Sequence, residues 1–413
     1  MPRVAAIIVN MVPYHHARWE ACAVVKGSET HLVELTDRDE FQVLEFAKDA
    51  CFHRHTLFPK TDPQGALLAR RMGEKLDEIR PDVVCVSGWG LEVSLAAVKW
   101  AVARSVPIVM LSESNEFDEA RSTIKEWIKR RLVGLCSAGL AGGTPQADYL
   151  VKLGLPRECV FTGYDIIDNS YFETSTKEVR NSGFKFQVSG FAVSSPYFFA
   201  CARFGKKKNL PGLIRAYFRY RILVTGKAPQ NHSGLRSQVS SFTGPWDLVI
   251  AGEGEERVEI ERTIRECGVS DHVHLIGAKG YADLPFYYGR AEAFIHASTT
   301  EQWGLVVNEA MAAGLPVLVS NRCGCAADLV KEGENGWTFD PTNEDEMAEL
   351  MLKISGDEEQ RREMGRKSRE IIENWGPARF ASGLSSAIEA ALSAPKKKTG
   401  LIDRVILWAI TQR

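Results

Sequence analysis

Residues 296–321 read HASTTEQWGLVVNEAMAAGLPVLVSN. An apolar run ends near Ser298, a polar loop carries Glu301 and Gly304, and a helical pattern continues to about Ala313, where Gly314 and Pro316 stop it. Strand, loop and helix start together present unsatisfied backbone N–H groups and the positive end of a helix dipole to an anion. Gly304, Leu305 and Val306 fall at that helix start, with Glu301 just before it and Glu309 one to two turns inside. In an open parallel sheet, ligands bind beyond the carboxyl ends of the strands, where this loop falls. Amides that hold phosphate, flanked by carboxylates that accept from sugar hydroxyls, suit a nucleotide sugar. The same two acids also fit a solvated loop and an exposed helix face, and spacing alone does not choose.

Working outward, strand-like runs alternate with helix-length stretches on both sides. Upstream lie VAAIIVN (4–10), THLVEL (30–35), DVVCVS (82–87), PIVMLS (107–112) and SAGLAGG (137–143), separated by helical patterns such as 64–79 and 91–104. In TPQADYLVKLG, Thr144 fits a cap, Pro145 the first turn and Gly154 the helix end. After a polar stretch the rhythm resumes with YFFACARF (197–204), WDLVIAG (246–252), VHLIG (273–277), AEAFIHAS (291–298) and LPVLVS (315–320). Alternation of this kind implies β-α-β units and parallel sheets, here two doubly wound α/β domains in series. The expected division is 1–168, a linker at 169–190, a second domain at 191–374, and a C-terminal helix and basic, apolar tail at 375–413 returning to the first domain. TGKAPQNHSGLRSQVSSFTGP (225–245) reads as a long surface loop.

FACARFGKKKNLPGLIRAY (199–217) follows a strand and leads into a helix. Arg203 and Lys208, with Lys206 and Lys207 between, suit the oxygens of a departing diphosphate, because charge grows there as a glycosidic bond breaks. A solvated basic turn is the alternative.

Composition bounds these readings. The 413 residues are 45% hydrophobic and 25% charged, as in ordinary globular proteins. With 51 basic and 53 acidic residues, a whole-protein electrostatic grip on nucleic acid is not expected. Nine dispersed cysteines read as reduced thiols, and Cys323 and Cys325 lack a second half-site for zinc. The N-terminus reads as a buried strand rather than a leader, and no apolar run is long enough to span a bilayer.

EQWGLVVNE has the spacing E-x7-E and is followed by AMAAGLPVLVSN; RFGKKKN lies upstream and VIAGEGEE (249–256) between. Together these resemble a family 4 retaining glycosyltransferase of the GT-B fold, of the bacterial polysaccharide and glycolipid assembly type. The likeness covers about 197–345 and extends more loosely to YLVKLGLPRECVFTGYDIIDNSYF (149–172). It implies two doubly wound Rossmann-like domains facing each other across a cleft, the first binding the acceptor and the second the nucleotide sugar. Arg203 and Lys208 would hold the donor diphosphate. Glu301 would contact the transferred sugar, and the amides of Gly304, Leu305 and Val306 the phosphate or sugar. Glu309 would bind the ribose. Gly252 and Gly254 would let the backbone turn close to the nucleotide, and the loop from Gly277 to Lys279 would flank the base. The resemblance implies transfer with retention to an acceptor hydroxyl, no metal and no cofactor beyond the nucleotide-sugar co-substrate. A sugar-nucleotide epimerase and a non-catalytic sugar-nucleotide-binding protein share the architecture and stay as alternatives.

Two departures from the family pattern stand out. MVPYHHARW (11–19) lacks the usual glycine pair, leaving His15 or His16 to face the acceptor, and Glu113 stands where many members have histidine. Glu113 is therefore a candidate active-site residue, or a carboxylate capping a nearby helix. Trp89 in SGW (87–89) is a candidate acceptor wall, or core. Asp37-Arg38-Asp39 matches a metal-binding D-x-D but reads better as a turn. HRH (53–55) and HVH (272–274) pair histidines on one face without an evident third ligand, and GEGEER (252–257) lacks the third glycine of a dinucleotide fingerprint. PKKKTGLIDRVILWAITQR (395–413) and the basic helix IKEWIKRRL (124–132) fit an anionic membrane surface with Trp408 as anchor, or a tail packed on the first domain. The expected partners are a nucleotide-sugar donor, a saccharide or lipid-linked acceptor and that surface. The expected location is cytoplasmic, with a peripheral position on the inner face of the membrane as its membrane-bound form.

Overall fold

The computed structural model describes residues 2–24, 28–37, 52–61, 63–119, 121–181, 195–226, 244–397 and 399–411. The chain divides into two compact units, Met1–Asp168 with Trp375–Arg413, and Asn169–Asn374.

The first unit begins with β1 (Arg3–Ile8), α1 (Pro13–Val24), β2 (Glu29–Glu34), β3 (His53–Thr56), α2 (Ala66–Ile79), β4 (Val83–Ser87) and α3 (Glu92–Arg104). It continues through β5 (Ile108–Ser112), α4 (Thr123–Val133), β6 (Ala138–Ala141), α5 (Thr144–Lys152) and β7 (Val160–Thr162). The strands form one sheet in the order β3-β2-β1-β4-β5-β6-β7, with every pairing parallel. Val83, Val84, Cys85 and Val86 are all fully buried, since helices cover both faces of a parallel sheet and leave no polar side to alternate with. Fully burying a side chain of this size contributes about 1.5–3 kcal/mol.

The second unit holds α6 (Asn169–Asn181), β8 (Tyr197–Cys201), α7 (Leu210–Thr225), β9 (Asp247–Ala251), α8 (Arg257–Glu266), β10 (Val273–Leu275), α9 (Leu284–Arg290), β11 (Ala293–His296) and α10 (Leu305–Ala312). It ends with β12 (Val317–Ser320), α11 (Ala326–Leu329), β13 (Gly336–Phe339), α12 (Glu344–Gly356) and α13 (Glu358–Glu373). Its sheet runs β10-β9-β8-β11-β12-β13, again parallel throughout. The chain returns to the first unit as α14 (Pro377–Ser393) and α15 (Leu401–Ile410). In each sheet the strand order reverses once, between β1 and β4 and between β8 and β11, which places the ligand-accepting crevice of each unit there.

The structure corrects several expectations. Residues 169–181 of the stretch read as linker form a helix that buries Phe172 and Thr176 and packs on α9 and α10; its polar face hid a narrow apolar seam. The rest of that stretch, 182–190, lies outside the described residues, as do most of the 225–245 loop and Arg38 and Asp39 of the D-x-D. Asp37 accepts from the Lys60 amide at 2.8 Å, as in a turn. Thr144 is the first helical residue rather than the cap, and the Gly143 amide is satisfied by the Gln146 side chain at 3.1 Å. HRH is an edge strand, β3.

The seat of α14 rests on Gly383, where a Cβ would lie 2.6 Å from the Thr162 carbonyl oxygen and 2.8 Å from Leu140 Cδ1. Gly383→Leu should therefore cost about 1–3 kcal/mol by overpacking. Gly90→Ala, into open space, should leave the urea midpoint unchanged. Equal midpoints for both variants would contradict this packing.

Candidate active site

The loops after β8 and β11 flank the reversal point of the second sheet and are tied together there. Lys208 forms an ion pair with Glu301, and both side chains are largely buried. The Thr299 amide donates to the Lys207 carbonyl at 2.8 Å, so backbone as well as side chain locks the loops. His296, at the end of β11, places Nε2 3.5 Å from Glu301 Oε2 and 3.1 Å from Ser298 Oγ. Ser298 Oγ lies 3.4 Å from the same carboxylate. Burial alone would raise the Glu301 carboxyl, but its hydrogen bond with His296 and the Lys208 charge outweigh that and hold it well below the usual range. Burial lowers the His296 pKa more than Glu301 raises it.

Gly304 follows with φ 105°, a left-handed turn that glycine adopts without strain. A Cβ there would stand 3.6 Å from Glu301 Cγ and Cys325 Sγ and 3.7 Å from His296 Nε2, so the helix start directly adjoins the acid. Gly304 precedes α10 and Leu305 and Val306 open it; the Val307 amide donates to the Gly304 carbonyl at 2.9 Å, and the amides ahead of it come before any intrahelical acceptor.

The glycines of the neighbouring loops are required by close approach. At Gly252 (φ 147°) a Cβ would fall 1.9 Å from the Ala202 carbonyl oxygen, and at Gly254 (φ 153°) 2.5 Å from that of Phe204. The Gly252 amide donates to the Gly277 carbonyl at 2.9 Å, and Lys279 lies over the Tyr287 ring at 5.6 Å. The loops after β8, β9, β10 and β11 thus form one continuous edge. Arg203 is exposed on it.

Glu309 sits one turn inside α10. It is fully buried, and Tyr288 donates its hydroxyl to Oε2 at 2.7 Å, which braces α10 against α9. Sequence reasoning missed His296, Ser298 and Tyr288. His296 and Ser298 stood inside the quoted stretch with strand spacing, whereas nothing local marked Tyr288.

The first-unit candidates also follow the carboxyl ends of their strands. His15 donates from Nδ1 to the Asn10 carbonyl (3.0 Å), and burial, helped by Arg18, drives its pKa down to about 3, leaving it neutral. His16 faces Glu20 at 3.4 Å. Trp89 packs edge-on against Tyr149 at 6.0 Å, with the Lys129 ammonium 5.7 Å from its ring. Glu113 belongs to a buried charge cluster that sequence did not reveal. Arg18 and Asp165, both almost fully buried, lie 3.5 Å apart. Burial and then Glu113 hold the Asp165 carboxyl well above its usual range, with Arg18 offsetting part of that, so Asp165 keeps its proton. The same burial and the Glu113 charge push the Tyr164 hydroxyl up to about 12.

Among the described residues, the one cluster with metal-ligand chemistry is Glu29, His31 and His53, whose ligand atoms lie within 4.8 Å of one another. Of HRH, only His53 belongs to this cluster; His55 instead meets His31 at 3.0 Å. The His31 and His53 rings stack at 4.7 Å and 25°, which points their lone pairs alongside rather than toward a common centre. His272 and His274 instead share Asp247, at 3.2 and 2.9 Å.

Arg18→Met should cost about 3–5 kcal/mol, because it leaves buried acids uncompensated. Asp165→Asn, which mimics a protonated acid, should cost far less at pH 7. Because folded Asp165 keeps a proton that the unfolded chain releases, its contribution is fullest at acid pH and is lost as pH rises. Wild type should therefore lose stability relative to Asp165→Asn between pH 4 and 8. Urea unfolding of the two variants checks this, and equal losses at pH 7 would contradict a protonated Asp165.

Residues 181–371 match the family model described as "Glycosyl transferases group 1". An uncharacterised glycosyltransferase of Haemophilus influenzae is 33% identical over 32% of this chain and 36% of its own length. The UDP-N-acetylglucosamine–peptide N-acetylglucosaminyltransferase GtfA subunit of Streptococcus gordonii is 31% identical over 35% of this chain and 28% of its own. The match therefore spans about a third or less of the length of these curated relatives. Among solved structures, Anabaena HepE in complex with UDP superposes with a TM-score of 0.68 at 16% identity, over 94% of this chain and 100% of that one. Sucrose-phosphate synthase from Thermosynechococcus elongatus gives 0.67 at 16%, over 94% and 98%. Residues 181–371, which carry the Lys208–Glu301 edge, thus match the group 1 glycosyltransferases, and the two parallel Rossmann-like sheets share the GT-B fold of the solved glycosyltransferase structures.

Proposed function

We propose that the protein transfers a sugar from a nucleotide-sugar donor to an acceptor hydroxyl, with retention of anomeric configuration, in polysaccharide or glycolipid assembly. The observation that carries this reading is the buried Lys208–Glu301 pair beside the start of α10 at the sheet's reversal point. HepE, with the same fold, is described with UDP and glucose bound, and relatives include a GDP-mannose-dependent mannosyltransferase of Mycobacterium tuberculosis.

The second unit holds the donor. A diphosphate arriving at the α10 amides meets Lys208, which then exchanges part of its Glu301 contact for phosphate oxygen, with exposed Arg203 close by in sequence on the same loop. Glu301 is left ionised beside the transferred sugar, where it accepts from hydroxyls and steadies positive charge at the anomeric carbon. Lysine and helix dipole meet the charge that grows on the leaving group, which makes the chemistry workable without a bound metal. In a front-face route the leaving phosphate takes the acceptor proton, so retention needs no protein base. The first unit binds the acceptor, with Trp89, His15 and Glu113 along the carboxyl ends of β4, β1 and β5.

The acceptor is proposed to be lipid-linked, reached from a membrane surface. Among the described residues no helix is long and apolar enough to cross a membrane. In α15, Asp403 and Leu407 face inward, as does Thr411 just past its end, and Asp403 pairs with Arg131 of α4 at 2.7 Å. The outer face exposes Leu401, Ile402, Val405 and Trp408, and α4 exposes Ile124 and Trp127 beside Lys125 and Arg130. An apolar face with cationic neighbours fits an anionic interface.

Lys208→Ala and Glu301→Gln should each lower transfer at least 100-fold in protein that thermal unfolding shows to be still folded at the assay temperature, checked by product formation from UDP-sugar and GDP-sugar donors. Wild-type turnover in either variant would remove the site. Conversion of the donor to an epimer without acceptor would favour the epimerase. In a separate assay, Val405→Glu with Trp408→Glu should abolish sedimentation with phosphatidylglycerol vesicles without altering transfer to a soluble acceptor.

A further inference from the structure

The opposite edge of the second sheet carries a cavity of about 650 Å³, at the amino ends of β8, β11 and β12, where Tyr197, Glu292 and Pro316 lie. Six arginines line it: Arg180 of α6, Arg290 of α9, and Arg361, Arg362, Arg366 and Arg369 of α13. The two acids in its wall are Glu292 and Glu358.

Not all of these charges are balanced within the wall. Arg362 pairs with Glu358, and Arg366 with Glu363 and Glu370. Arg361 Nε lies 3.6 Å from Glu292, beyond hydrogen-bond length, while its Nη1 donates to the Ile354 and Ser355 carbonyls. Arg180 donates to the Gly289 carbonyl at 3.0 Å and Arg369 to that of Ala313 at 3.1 Å, neutral acceptors in both cases. Arg369 Nε is buried with no acceptor. Burial and the nearby Arg369 charge lower the Arg180 pKa, with Glu292 offsetting part of that, so the guanidinium groups repel one another.

The site is also built. Arg369 lies over Gly314 (φ 74°), where a Cβ would stand 2.2 Å from the guanidinium carbon. A Cβ at Gly365 would fall 2.3 Å from the Gly314 carbonyl oxygen, so the two glycines let α13 press its arginines against the sheet.

We propose that this arginine-lined cavity is a second anion site, taking a small organic polyphosphate at the sheet edge opposite the donor loops. Guanidinium forks from three helices match phosphate oxygens in pairs, and a volume of this order suits a molecule rather than a single phosphate ion. A ligand there would tie α6, α9 and α13 together. The proposal does not depend on the donor reading, since none of its residues belongs to the donor edge.

Isothermal titration with fructose 1,6-bisphosphate, and with inorganic phosphate as the single-anion arm, tests it. One equivalent of the bisphosphate should bind wild type and the Lys208→Ala, Glu301→Gln double variant within about twofold of each other. Arg180→Gln should weaken binding at least tenfold. So should Ser195→Glu, which adds a carboxylate at a lining position and deletes no arginine. Absence of binding to wild type, its loss in the donor-edge variant, unchanged affinity in Ser195→Glu, or equal affinity for inorganic phosphate would each overturn the proposal.

Discussion

A lysine and a glutamate that lie 93 residues apart in sequence share one small, largely buried volume, and the second unit is arranged around that fact. Neither charge is stable there alone, because a buried ion without its partner costs several kcal/mol. The pair therefore fixes the loops after β8 and β11 against each other. His296 and Ser298 take up further lone pairs of the same carboxylate, and the start of α10 begins one residue past Gly304. A lysine already desolvated and already aimed is what an incoming diphosphate needs, since little reorganisation remains to be done on binding. On the proposed function, competition between phosphate and Glu301 for one ammonium would link donor arrival to the release of a carboxylate beside the sugar.

Backbone contacts supply the rigidity that side chains alone would not. Gly252 and Gly254 bring the loop after β9 within van der Waals distance of the Ala202 and Phe204 carbonyls, and the Gly252–Gly277 hydrogen bond adds the loop after β10. Four loops from four adjacent parallel strands thereby become one surface. Glu309 and Tyr288 hold the helix behind it. Substitution at any of these glycines acts on the position of Lys208 without touching it.

Much of this was legible in sequence because parallel strands buried on both faces are continuous apolar runs, and most boundaries fell within one or two residues of the runs themselves. The stretch 296–321 carried its own punctuation: an apolar strand, Gly304 at the turn and Gly314 at the stop. What stayed hidden has a common cause. The Asp165–Arg18–Glu113 cluster and the Tyr288–Glu309 contact join residues far apart in the chain, so no local spacing records them. Glu309 occupies a motif position, yet its environment, not its position, decides whether its oxygens reach solvent. Residues 169–181 were misread because a polar helix with two buried side chains has too narrow a seam for periodicity to show. The edge strand β3 has only four residues, three of them His, Arg and His, and owes its existence to pairing with β2.

The most direct test of the central claim is the affinity for UDP, the nucleotide bound to HepE, measured by titration calorimetry in wild type and in Lys208→Met. If the Lys208 ammonium leaves Glu301 for the diphosphate, the variant should bind at least 30-fold more weakly, and raising salt should weaken wild type more than the variant. Equal affinities with equal salt dependence would show that the pair is structural and that the diphosphate rests elsewhere.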